Sequence, residues 1–155
     1  MDFKDFQKKV NTDLVGKFIN IASRSQGFLK KDNNKIGDEL DETIINEFVE
    51  QKEVIFNLYI DREYSKAIQK IMFLADKANQ YIDSHKPWEL NKDSSNSLKV
   101  KKIASTSINL FRILNLYLEP VIPETSERIK NYLQSDCNLD DLSKHLTNHK
   151  LEKFK

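Results

Sequence analysis

Three glycines and three prolines are all that interrupt 155 residues. These two residues are the strongest breakers of regular structure, so a chain this poor in them reads as long unbroken elements, and at such lengths those are helices. The apolar spacing agrees. Phe6, Val10, Leu14, Phe18, Ile21 and Phe28 recur three, four or seven residues apart, one face of a helix over about 2–31. Asp2 is placed to cap its start, and Asp5 suits the positive end of the helix dipole. The opposite stripe, Asp13, Lys17, Asn20, Arg24, Gly27 and Lys31, is polar apart from the glycine.

The same reading continues along the chain. "KDNNKIGDELDE" has no periodicity and reads as a loop. A helix over about 42–59 carries Ile45, Phe48, Val54, Ile55 and Leu58 as its apolar set. The next, over about 63–84, offers Tyr64, Ala67, Ile68, Ile71, Met72, Ala75, Ala78 and Ile82. It ends before Pro87, because a proline disfavours helix in the residue preceding it. "ELNKDSSNS" is a loop. A helix over about 97–118 buries Val100, Ile103, Ala104, Ile108, Phe111, Leu114 and Leu118. Pro123 suits the first turn of a helix reaching Leu133, and a short helix fits 139–147. Without β alternation or hairpin signals, the expected fold is all-α, an antiparallel bundle of about five helices in one domain.

The totals exclude several classes. No apolar run approaches the roughly 20 residues that span a bilayer, and "MDFKDFQKK" lacks the apolar stretch expected of a secretory signal. The one cysteine, Cys137, has no partner for a disulfide or a zinc site, which fits a reducing, cytoplasmic setting. Net charge is +1, but it is unevenly spread: residues 1–31 carry +4, 32–63 carry −7, 64–102 carry +4, and the rest balance. Two basic segments flank an acidic one. They either face a polyanion together or are ordinary solvated faces of mixed sign.

Catalytic signals are thin. His145 and His149 have the i, i+4 spacing of a metal pair but lack a following Glu and a third ligand, so no metal site is expected. Cys137 lies in the acidic "QSDCNLDD", which opposes a reactive thiolate. No glycine-rich phosphate loop is present. Two constellations remain. Asn20 and Arg24 stand four residues apart, about 40° in azimuth and about 6 Å in rise. Trp88, the single tryptophan, sits with Lys86 in "DSHKPWEL", where Pro87 stiffens the backbone. An exposed aromatic beside cations suits single-stranded nucleic acid: a base stacks on the ring and lysines meet phosphate. On pattern alone two other readings stay open. Trp88 folds back as a cap on the bundle end, or Asn20 and Arg24 are a solvated pair with Arg24 bridged to an acid.

"VNTDLVGKFINIASRSQGF" (10–28), "IMFLADKANQYIDSHKPWEL" (71–90) and "RILNLYLEPVIPETSERI" (112–129) together resemble the anticodon-binding helical domain of methionyl-tRNA synthetase. The likeness covers nearly the whole chain in the family's order. It implies a ligase that activates methionine with ATP and transfers it to methionine tRNAs. The H-x-G-H and K-M-S-K-S motifs of the family's catalytic half do not occur here. ATP, magnesium and, usually, zinc in an insertion belong to that half. "NHKLEKFK" resembles the segment before the bundle's final stretch. Residues 1–155 are therefore expected to be one anticodon-binding domain, the C-terminal part of a larger synthetase and not catalytic by itself. The resemblance implies that Trp88 stacks on an anticodon base while Asn20 and Arg24 read base edges. Lys17, Lys86 and Lys92 are candidates for phosphate contacts. The implied partners are the methionine tRNAs and the catalytic half, with no DNA and no membrane. The alternative is a helical protein-interaction module with Trp88 as its anchor.

Overall fold

The computed structural model describes residues 14–30, 34–133, 145, 146 and 151. In chain order they form α1 (Val15–Leu29), α2 (Glu42–Val49), α3 (Lys52–Ile60), α4 (Tyr64–His85), α5 (Pro87–Leu90), α6 (Ser97–Leu118) and α7 (Pro123–Leu133), with a 3-10 turn over Ser94–Asn96. No strand occurs among the described residues. The expected all-α bundle is borne out. The first part of the helix expected over 2–31 lies outside the described residues.

The axis of the bundle is α6. Every residue from Ile103 to Leu118 is buried. One amphipathic face was expected. Burial on all sides follows from a central position, with other helices packed around it. The segment carries a single charge, Arg112. Its polar side chains tie down the connections around it. Ser105 Oγ accepts from the Gly37 N–H and Thr106 Oγ1 from the Asp41 N–H, both at 2.9 Å. Buried hydroxyls thus acquire partners while the 36–41 loop is pinned across the helix. Phe111 stacks on Phe18 of α1, ring centroids 4.5 Å apart.

Helix directions follow from which residues meet. Three side-chain contacts join α1 to α4 at the same sequence offset of 59. A constant offset means the two helices run parallel. Phe18, level with residue 77 on this register, meets Phe111. Tyr81, one turn further along α4, bonds Asp41, whose N–H is held by Thr106. The order on α6 therefore descends as that on α4 rises. Thus α6 is antiparallel to both α1 and α4, and these two, packed together on one side of it, are parallel to each other.

Four expectations need correction. The helix read over 42–59 is two helices, broken at Glu50–Gln51. The Tyr117 hydroxyl donates to the carbonyls of Phe48 and Val49, occupying acceptors that a continuous helix would give to residues 52 and 53. Val54, expected in its buried set, is 46% exposed, and Tyr64 of α4 is 44% exposed. The stretch after Pro87 is not all loop, since α5 and the 3-10 turn lie within it. Finally, His145 and Leu146 are not helical. Asn109 clamps the Leu146 backbone instead, accepting from its N–H at 2.7 Å and donating to its carbonyl at 2.9 Å. The rest of 139–147 lies outside the described residues.

Candidate nucleic-acid interface

The polar stripe of α1 does not simply face water. Lys17, Asn20 and Arg24, at i, i+3 and i+7, lie against Asp76, Asn79 and Asp83, which have the same spacing on α4. Lys17 pairs with Asp76 at 3.1 Å. Asn20 Nδ2 donates to Asn79 Oδ1 at 3.3 Å. Arg24 donates through Nη1 to the same Asn79 oxygen at 3.4 Å and through Nη2 to Asp83 at 2.5 Å. The reading in which Arg24 is bridged to an acid is therefore correct as geometry, and Asp83 is that acid. Both members of this ion pair keep contact with solvent, at 26% and 61% side-chain exposure.

The α4 exit brings Trp88 to this seam. Lys86 leaves the helix in the left-handed region, φ 45° and ψ 59°, with its N–H on the Ile82 carbonyl. A residue preceding proline is disfavoured in the right-handed helical region, and a left-handed residue is a common way for a helix to stop. Pro87 then starts α5 and is buried. Trp88 follows, 41% exposed, with the Arg24 guanidinium carbon 5.7 Å from its ring centroid. That is within cation–π range. The indole is neither fully wet nor a core cap: it lies beside Arg24, is more than half covered, and keeps 41% of its area exposed.

Trp88, Arg24 and Asn20, picked from separate stretches of sequence, thus lie in one place. The nominated lysines divide. Lys17 is paired with Asp76, and Lys92 with Glu89 at 3.5 Å. Both pairs are exposed, so meeting a phosphate requires only an exchange of partners at small cost. Lys86, exposed, has no side-chain partner among the described residues. The residues missed from sequence are Asp76, Asn79 and Asp83. Their signal was present: "DKANQYID" repeats the three-and-four spacing of "KFINIASR" with complementary chemistry.

His145 is also accounted for. Its Nδ1 lies 3.2 Å from Arg112 Nη2. A guanidinium only donates, so Nδ1 accepts and the ring proton is on Nε2. Burial first, and the Arg112 charge second, hold its pKa below the usual histidine value, against a smaller opposing effect of Glu42. His149 and Cys137 lie outside the described residues. Among the described residues no three His, Cys, Asp or Glu side chains gather as a metal site, and no helix is long and apolar enough to cross a membrane.

A family model described as the anticodon binding domain of methionyl tRNA ligase matches residues 32–152. The chain belongs to this family. A methionine–tRNA ligase of Psychrobacter sp. (strain PRwf-1) is 46% identical over 162 residues, covering 100% of this chain and 23% of that protein. The chain thus spans about a quarter of that curated relative's length. Two solved structures of Mycobacterium tuberculosis methionyl-tRNA synthetase share the fold. The free-state structure has TM-score 0.86 at 19% identity, covering 100% of this chain and 34% of the other. The complex with methionyl-adenylate has TM-score 0.82 at 21% identity, covering 93% and 30%. In this anticodon-binding domain the matched family span contains Trp88, Lys86, Asn79 and Asp83 and begins after Asn20 and Arg24. The rim of the seam offers a partly exposed aromatic ring, a guanidinium and, in the Asn20 oxygen, an acceptor with no partner among the described residues.

Proposed function

We propose that this domain binds the anticodon loop of methionine tRNAs through Trp88, Asn20 and Arg24. The observation that carries the reading is their convergence at one solvent-facing seam. The open indole face accepts a stacked base. The first base of a methionine anticodon is cytosine, whose pairing edge has an amino donor beside two acceptors. Asn20 Oδ1 accepts from the amino group and Arg24 donates to the acceptors. Uracil reverses part of that order and leaves polar groups unpaired, the strongly discriminating kind of mismatch. Lys86 supplies a phosphate contact, with Lys17 and Lys92 following if their acids release them.

The domain works as the C-terminal part of a larger cytoplasmic methionine–tRNA ligase. The catalytic half of that enzyme supplies the ATP and magnesium chemistry. Residues 1–155 alone give no aminoacylation or ATP–pyrophosphate exchange in a sample free of host synthetase. The decisive experiment titrates the chain with a methionine anticodon stem-loop and with the same loop carrying one changed anticodon base. Tight, salt-sensitive binding of the first only, with quenching of Trp88 fluorescence, is the expected result. Equal binding of both loops, or docking that ignores salt, points instead to Trp88 as an anchor for a protein partner.

A further inference from the structure

We infer that Asn79 is the positioning residue that sets the specificity of this seam, by locking the Asn20 amide with its oxygen turned outward. The inference rests on the anticodon reading for its functional meaning and on α4 geometry for its substance. Asn79 Nδ2 lies 3.2 Å from the Lys17 carbonyl of α1 and 3.2 Å from the Ala75 carbonyl of α4. Carbonyl oxygens only accept, so the amide nitrogen must occupy that position, and the side chain cannot flip without setting oxygen against two oxygens. Asn79 Oδ1 therefore faces the other way. There it accepts from Asn20 Nδ2 at 3.3 Å and from Arg24 Nη1 at 3.4 Å. Its two donors and its acceptor oxygen are all engaged.

The consequence passes to Asn20. An asparagine amide on a surface flips freely and offers donor or acceptor equally well. Among the described residues its amide has one hydrogen-bond partner, an acceptor whose orientation is fixed by two backbones. Asn20 must turn its nitrogen inward and its oxygen outward. The outward oxygen suits a base edge bearing an amino group and rejects one bearing a carbonyl. Asn79 touches no base in this scheme. It converts an ambiguous amide into a one-way reader and steadies one arm of Arg24.

The test compares the wild-type chain with Asn79→Ala on two anticodon stem-loops that differ only in cytosine or uracil at the first anticodon position. The quantity read is the ratio of the two affinities. Asn79→Ala is expected to lower that ratio by about tenfold or more, the order of one misdirected hydrogen bond, while a merely structural loss weakens both loops alike. A ratio that stays at the wild-type value, with the cytosine loop still bound, overturns the inference. Side-chain amide exchange in the RNA-free wild type, followed by NMR, gives a second readout if Asn79→Ala does not fold. Slowed exchange of both Asn79 protons and of only one Asn20 proton is expected. Unprotected, equivalent Asn20 protons overturn the inference. If the wild type does not discriminate between the loops at all, the anticodon reading itself falls, while the exchange pattern still decides the orientation.

Discussion

Asn109 and Arg112 in the middle of α6 are 0% and 1% exposed, whereas Asn20, Asn79 and Arg24 along the α1–α4 seam keep contact with solvent. The residue types are the same and the uses are opposite. Asn109 gives its whole amide to the fold: Nδ2 serves the Ser105 and Leu146 carbonyls, and Oδ1 takes the Leu146 N–H. Nothing remains to offer a ligand. At the seam, Asn79 is used up in the same way, but it sits beside Asn20, which keeps its oxygen. A polar group whose bonding capacity is consumed internally contributes to stability and uniqueness; one held in place with capacity left over is equipped to recognise something.

The largest expected effect tests the buried side of this contrast. Phe111→Ala removes a fully buried ring stacked on Phe18 and should cost about 3–5 kcal/mol in urea unfolding. A loss below about 1 kcal/mol would mean that α6 is not the packed axis described here.

A matched pair of substitutions sharpens the contrast. Asn109→Ala strips partners from the buried Leu146 peptide and should destabilise by about 1–3 kcal/mol. The identical change at Asn20 should stay within about 0.5 kcal/mol, as expected of a surface position, yet reduce discrimination between anticodon loops. Equal stability losses at the two sites would erase the distinction between consumed and available asparagines.

Trp88→Ala comes next, because it acts on binding more than on folding. Stacking contributes about 1–3 kcal/mol per base, roughly fivefold to 150-fold in affinity. Trp88→Phe should lose less, since part of the π-face remains. With 41% of the residue exposed, the melting temperature should move little. A collapse of the melting temperature with unchanged RNA affinity would make the indole structural, a cap held by Arg24.

Much of this was legible in the sequence, and the gaps have a common cause. Helices expected over 97–118 and from Pro123 to Leu133 occur with those ends, and one expected over 63–84 is Tyr64–His85. Apolar spacing, a proline and the shortage of glycine suffice there because they act within a turn or two. The break at Glu50–Gln51 depends on a hydroxyl from Tyr117, which is 69 and 68 residues from the Phe48 and Val49 carbonyls it meets. The pairing of Lys17, Asn20 and Arg24 with Asp76, Asn79 and Asp83 depends on which helices become parallel neighbours. The polar stripe of α1 was visible; that its complement lay on α4 at an offset of 59 was not. Tertiary partners escape a local pattern even when both halves of the match are in plain sight.

The smallest expected effect returns to the buried side and concerns pH. His145 accepts from Arg112 through Nδ1, and burial together with that guanidinium favours its neutral form in the folded chain. Its folded pKa is therefore below the ordinary value of about 6.5 that the unfolded chain has. Between those two values the unfolded state binds more protons, so stability rises with pH. The contribution is fully present above about pH 6.5, declines as pH falls below it, and levels off once the folded ring also takes up a proton. His145→Gln preserves an oxygen that can accept from Arg112 but cannot titrate. Urea unfolding at about pH 7 and about pH 5.5 should show a shallower loss of stability in His145→Gln than in the wild type, before carboxylates begin to titrate. The Asn20→Ala variant should keep the wild-type slope, because the seam holds no histidine in its network. A wild-type slope in His145→Gln would show that the ring is already free of Arg112 in solution, and the Arg112 contact would then not be part of the buried network that separates α6 from the seam.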